Sequence, residues 1–376
     1  MNSETLRVEK FSYDNKIVRN FAVAMVIFDH LARGGMFSAY PEGSKVLLAG
    51  HFGVDLFFAI SGFLITSRLL GEWGKAQTIS LGKFYARRVF RILPPAFLAL
   101  SIAGIFALKG GFETPKKPWI AAWFFFSNYA PGPRIIVHFW SLAVEEHFYA
   151  IWPLLFLFVM RTKRPWLAFV PIVLVTVWRT LVMRGLVHDP LAIHDNLSQR
   201  TDLRLDGLLA GCVAALLQAN PRTAGILHQL TSPLLWVVWL GSFFAADRLP
   251  QDVGTTVQTI TAPLILVGTI RRPTFFVSRM LEAPPLRWFG RLSYSLYLFQ
   301  QLFMDWEGTL GHPWLIVPVS AASFYLVEEP MIALGRDLLD PAKKFTSVRD
   351  KARVGVALLF LAGALYVFAR VLAIAL

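Results

Sequence analysis

Residues 50–70 read GHFGVDLFFAISGFLITSRLL. The stretch is as long as a bilayer-crossing helix, which needs about 20 mostly apolar residues. It contains one acid, Asp55, and small residues at Gly53 and Ser61-Gly62. Small residues let the backbones of packed helices approach closely. An acid inside such a run costs several kcal/mol in a membrane and marks a function or a buried pair by default. Working outward, similar apolar runs lie near 17–36, 92–109, 141–160, 166–183, 204–218, 232–247, 254–270, 289–307, 312–327 and 354–375. The segment 119–130 (WIAAWFFFSNYA) reads either as a half-helix or as an interfacial aromatic stretch. The expected fold is an all-α polytopic integral membrane protein with about 10–11 transmembrane helices.

The whole chain agrees with that reading. Of its 376 residues, 55% are hydrophobic and only 16% are charged, against roughly 25% charged in soluble domains. The mean hydropathy is +0.52. This excludes a secreted soluble domain, a cytosolic enzyme and a nucleic-acid binder. The net charge of +13 then reflects Lys and Arg placed in cytoplasmic loops. Threading the spans with the N-terminus inside puts 25 of the 37 Lys and Arg on the cytoplasmic side. That two-to-one bias supports the orientation. The first sixteen residues are polar, unlike a removable signal peptide. The one cysteine, Cys212, excludes an intramolecular disulfide and a cysteine-rich metal site; in its apolar run it reads as packing.

Five polar groups stand out against the apolar background. Arg19 and His30 are eleven residues apart, so they share one helix face about 16 Å apart. His30 titrates near neutrality and suits proton transfer; Asp29 adjoins it. Asp55 pairs either with His30 or with an arginine. Arg87, Arg88 and Arg91 cluster at a cytoplasmic edge, where they serve either as positive-inside anchors or as forks for phosphate. Trp140, Ser141, Glu145, Phe148 and Tyr149 lie at the outer end of a span. Glu145 and Tyr149 are i,i+4 neighbours, an arrangement suited either to a sugar or to an interfacial aromatic belt. Arg200, Asp202, Arg204 and Asp206 open another span from outside, reading equally as an ion-pair cluster or as ligand contacts.

Taken in order, these blocks resemble acyltransferase family three, the membrane-bound acyltransferases that O-acylate extracytoplasmic glycans. The resemblance covers about residues 12–330. It rests on Arg19 and His30, on Gly53-Val54-Asp55 through Ser61-Gly62-Phe63, and on Arg87-Arg88 with Arg91 and Pro94. It continues through Trp140-Ser141-Leu142 with Glu145, Phe148 and Tyr149, then Arg204, Asp206 and Gly207, then Gly290 to Leu298, and Glu329-Pro330. Gln300 departs from the pattern, since members often have His there, and Gln cannot carry a proton at neutral pH.

The resemblance implies a membrane domain over 1–335; the cytoplasmic loop and additional C-terminal transmembrane helix expected in 336–376 depart from the family pattern. The hydrolase-like domain that some members carry is not expected here, so a stand-alone membrane enzyme is expected. The expected activity is O-acyl transfer, most often of acetyl, from cytoplasmic acetyl-CoA or another acyl-CoA to a glycan or lipid-linked sugar such as exopolysaccharide or O-antigen. Expected partners are these substrates and membrane lipids, with no nucleic acid and no metal, in a bacterial inner membrane. His30 would act as general base, with Asp29 or Asp55 orienting it and Glu145 taking part. Arg19, Arg87, Arg88 and Arg91 would hold the donor. Trp140, Ser141, Tyr149, Arg204 and Asp206 would hold the acceptor. The alternative from another class is a transporter or flippase, because polar residues at midplane depth also mark substrate paths.

Overall fold

The structure is a computed structural model that describes residues 49–110, 116–130, 132–191, 197–232, 234–245, 249–271, 279, 283–304, 311–340, 342–343 and 348–374. All regular structure among the described residues is helical. In chain order the helices are α1 Ala49–Ala76, α2 Leu81–Gly110, α3 Lys116–Trp123, α4 Phe139–Thr162, α5 Val170–Met183, α6 Thr201–Ala219 and α7 Pro221–Leu230. There follow α8 Leu234–Ala245, α9 Gln251–Arg271, α10 Pro284–Phe303, α11 Ile316–Ser323, α12 Glu329–Leu338 and α13 Val348–Ile374. A π-helical turn over Phe324–Glu328 joins α11 to α12 without a break.

Among the described residues, seven helical segments are long and apolar enough to cross a membrane: Gly53–Ala76, Leu81–Lys109, Arg134–Thr162, Pro165–Met183, Gln251–Arg271, Pro313–Leu338 and Ala352–Ala373. Each falls on a span expected from the sequence. Three further expected spans form helices that miss these limits. α6 carries Asp202, Arg204 and Asp206 in its first two turns. α8 has 12 residues, about 18 Å of helix, short of a bilayer core of about 30 Å. α10 mixes Arg287, Arg291, serines and glutamines with its apolar positions. The expected span at 17–36 lies outside the described residues. The ambiguous segment 119–130 divides into the end of α3 and a 3-10 turn at Ser127–Tyr129.

The chain divides into two compact units. The first comprises its described residues up to Ile79 and Ser141–Ser293, and the second Ser80–Trp140 and Tyr294–Leu376. In the first unit, α1 and α6 pack most intimately. A Cβ on Gly62 would overlap the Leu208 carbonyl, and one on Gly211 would overlap the Ala59 carbonyl. The two glycines therefore bring the backbones into direct contact, as small residues do between membrane helices. Cys212 lies beside this crossing, fully buried, with its thiol on the carbonyls of Leu208 (3.2 Å) and Gly62 (3.5 Å). It fills space there, as its apolar setting predicts. Leu56, Ile60, Phe63, Trp236, Trp239 and Leu266 extend the core toward α8 and α9.

In the second unit, α2 is the central helix. The expected C-terminal helix, α13, packs along it: a Cβ on Gly104 would sit 2.8 Å from Val371. Trp123 stacks on Phe97 and packs at a tilt against Phe368, at ring-centroid distances of 4.9 Å to each. α12 packs on the first half of α2, where a Cβ on Gly335 would sit 2.6 Å from Phe90.

Candidate functional site

The first unit holds its charges inside. α6 presents them because residues two apart on a helix point about 200° apart. Arg204 therefore faces α1, where its Nη2 reaches Asp55 Oδ1 at 2.5 Å. The Arg204 guanidinium also lies 5.9 Å from the centre of the Phe58 ring. Asp206 faces the other way. Its Oδ2 accepts from Arg179 Nη1 of α5 at 2.6 Å, from Thr259 of α9 at 3.0 Å and from Thr176 at 3.3 Å. Arg179 is fully buried. It also donates to the Leu203 carbonyl and, through Nη2, to Thr256. Four charges thus cross-link α1, α5, α6 and α9.

A second layer closes the start of α6. Arg200 is fully buried and donates to Asp189 at 2.5 Å and to Asp202 at 2.6 Å. Burial alone would lower the Arg200 pKa, but the hydrogen bonds to Asp202 and Asp189 outweigh it and the net shift is upward. Asp202 also accepts from the Trp178 indole, and Arg184 pairs with Asp252. Asp202 in the first turn of α6 further suits the positive end of the helix dipole.

α4 brings a third set. Tyr149 donates to Glu145 Oε1 at 3.0 Å, and both side chains are buried. The i,i+4 spacing read from the sequence is thus a made contact. One turn on, Phe148 stacks on Trp152. His147 Nδ1 lies 2.7 Å from the Thr201 hydroxyl, tying α4 to the start of α6. Ser141 is buried at the start of this segment.

In the second unit, Arg87, Arg88 and Arg91 lie on the first half of α2. Arg87 is exposed, Arg88 and Arg91 are half-buried, and Arg88 lies 5.6 Å from the Phe84 ring centre. Trp140 is buried beside His138, whose Nε2 lies 3.1 Å from the Leu298 carbonyl of α10. Tyr297 donates to the His138 carbonyl. Glu328, in the π turn, accepts from Ser295 at 2.9 Å. Gln300 is buried.

The structure therefore brings Asp55 to Arg204 and Glu145 to Tyr149, and groups Arg87, Arg88 and Arg91 on one helix. Arg19, Asp29 and His30 lie outside the described residues. Sequence reading missed Arg179, which holds Asp206. The available signal was a lone arginine inside the apolar run 166–183, where charge is costly. Its partner is 27 residues away, beyond any local spacing rule. No group of His, Cys, Asp or Glu that could hold a metal ion occurs among the described residues.

A family model described as an acyltransferase domain matches residues 16–333. The peptidoglycan O-acetyltransferase OatA of Listeria monocytogenes is 28% identical over 77% of this chain and 51% of its own length. The putative peptidoglycan O-acetyltransferase YrhL of Bacillus subtilis is 28% identical over 93% of this chain and 61% of its own. The O-acetyltransferase OatA of Staphylococcus aureus is 29% identical over 75% of this chain and 49% of its own. The chain spans about half to three-fifths of the length of these relatives. No solved structure matches significantly. An all-helical membrane fold and a family match over most of the sequence agree: this chain belongs to acyltransferase family three.

Proposed function

We propose that this protein is an O-acyltransferase of a bacterial inner membrane. It moves an acyl group, acetyl by preference, from cytoplasmic acyl-CoA to a hydroxyl of an extracytoplasmic glycan. The observation that carries this is the family match over residues 16–333. The matched segment includes Asp55, Glu145, Arg204 and Asp206, all buried in an apolar helical unit. Peptidoglycan is the acceptor to test first, since two of the relatives above are named for it.

In the proposed reaction His30 takes the proton from the acceptor hydroxyl. The freed oxygen attacks the thioester carbonyl, the carbon–sulfur bond breaks, and the CoA thiolate leaves to take up that proton. Asp29 orients the imidazole. Glu145, held by Tyr149, receives the sugar, with Ser141 and Trp140 as further acceptor residues. Arg19, Arg87, Arg88 and Arg91 bind the phosphates of CoA by charge-assisted hydrogen bonds. Asp55, Arg204 and Asp206 set the spacing of the helices around the acceptor. The domain reading follows: 1–335 carries the chemistry, and 336–376 supplies a cytoplasmic loop and a supporting helix.

The test is thiol release from radiolabelled acetyl-CoA by purified protein in lipid nanodiscs, with peptidoglycan fragments or host glycan as acceptor. The expected result is label in the glycan with wild type and none with His30→Ala. Full transfer by His30→Ala removes His30 from the reaction. A carrier moves its solute without consuming acyl-CoA, so absence of thiol release with every donor and acceptor supports a transporter.

A further inference from the structure

We infer that Gln301, near the end of α10, binds a secondary amide of a substrate through its side-chain carboxamide. This rests on the function proposed above, in which both substrates carry such groups. Acyl-CoA has them in its pantetheine arm, and peptidoglycan has them on its N-acetylated sugars. Gln301 is fully buried. Neither its Oε1 nor its Nε2 has a hydrogen-bond partner among the described residues. A buried carboxamide without partners costs free energy at both atoms, and buried polar groups of native proteins are nearly always bonded.

The helix puts Gln301 on a polar stripe. Residues seven apart on a helix differ in direction by about 20°, and residues four apart by about 40°. Gln301 is seven residues past Tyr294 and four past Tyr297. Both tyrosines reach neighbouring backbone from that stripe. Tyr294 donates to the Ile92 carbonyl of α2 at 2.9 Å, and Tyr297 to the His138 carbonyl. His138 Nε2 meets the Leu298 carbonyl at 3.1 Å; a carbonyl only accepts, so Nε2 carries the proton. All these residues belong to the second unit. Gln301 continues the stripe about 6 Å beyond Tyr297. The hydroxyl and carboxyl groups that meet Ser295, on Ser323 and Glu328, serve a direction about 120° away around α10.

The chemistry of the side chain selects the ligand group. A carboxamide offers Nε2–H to a carbonyl and Oε1 to an N–H. It carries no charge, so a phosphate or carboxylate bound there would gain no counter-charge from it. A secondary amide is neutral, and it presents a donor and an acceptor on separate atoms.

The experiment compares wild type with Gln301→Met, which keeps the side-chain length and removes both polar atoms, using the full chain in nanodiscs. Melting temperature is measured without substrate. Dissociation constants are measured for CoA, for an N-acetylated peptidoglycan fragment and for the same fragment after de-N-acetylation. Gln301→Met is expected to melt no lower than wild type and to bind one amide-bearing ligand about fivefold more weakly, the worth of one neutral hydrogen bond. Weaker binding of CoA assigns the amide to the donor. Weaker binding of the N-acetylated fragment, with the de-N-acetylated fragment unaffected, assigns it to the acceptor. A melting temperature below that of wild type means that the carboxamide is satisfied within the chain, and overturns the inference. Unchanged affinities for CoA and the N-acetylated fragment leave the carboxamide to water and overturn it too, as does equal weakening for both fragments with CoA unaffected. In these cases binding of CoA and glycan by wild type keeps the proposed function standing, whereas binding of neither by wild type overturns both.

Discussion

The two units use arginine in opposite ways. In the first, Arg179, Arg200 and Arg204 are buried and each meets aspartate at 2.5–2.6 Å. In the second, Arg87, Arg88 and Arg91 lie on the first half of α2, Arg87 exposed and the other two half-buried. A paired, buried guanidinium is committed to holding helices together. One nearer the surface gives up less packing when it meets an anion, as the proposed function requires of the α2 arginines. The contrast is one of burial and pairing, although both groups read as intramembrane or juxtamembrane arginines by sequence.

The largest effect is expected where the first unit's pairing is broken. Arg179→Ala leaves Asp206 as a buried charge whose main partner is gone, a loss of about 3–5 kcal/mol. Little folded protein should be recovered, as judged by size-exclusion profile and thermal unfolding in detergent. The double variant Arg179→Met with Asp206→Leu removes both charges and should restore folding. If the single variant is as stable as wild type, the pair does not hold the unit.

Next in size is the α1–α6 crossing. Gly62→Leu has to push the Leu208 backbone away, and a drop of at least about 2 kcal/mol is expected from overpacking. An unchanged melting temperature would mean that the helices separate freely. Gly335→Leu tests the same kind of contact in the second unit. There the obstacle is the Phe90 side chain, so Phe90→Ala should relieve it, whereas no single side-chain truncation should rescue Gly62→Leu.

The remaining effects should fall on function. Arg91→Ala is expected to leave the melting temperature within about 0.5 kcal/mol of wild type while raising the acyl-CoA KM several-fold. A stability loss as large as that of Arg179→Ala would erase the distinction between the units. Tyr149→Phe removes the hydroxyl that Glu145 accepts, about 1–2 kcal/mol for a bond to a charged group. It should raise the KM for the glycan and leave that for acyl-CoA unchanged; the reverse split would move Glu145 away from the acceptor.

Much of this was legible in the sequence because membrane helices announce themselves by length and apolarity. The close approach at Gly62 followed from its small side chain, and the Glu145–Tyr149 contact from i,i+4 spacing. Asp55 was read as an acid in need of His30 or an arginine; the structure gives it Arg204 from 149 residues away. Arg179 escaped because nothing local to it signals a partner, and its position near a span end allowed it to be counted as an outer positive charge. α6 and α10 read as spans by apolar content, yet their polar residues set them apart from the seven described segments that are long and apolar enough to cross.

The central claim is that acyl groups enter from the cytoplasmic side, at the exposed arginines, and leave on a glycan outside. Sealed membrane vesicles of opposite orientation test it most directly, with radiolabelled acetyl-CoA added to the medium. Inside-out vesicles should release CoA thiol and label their enclosed glycan, while intact right-side-out vesicles should do neither until permeabilised. Equal consumption of acetyl-CoA by intact right-side-out vesicles would contradict the account.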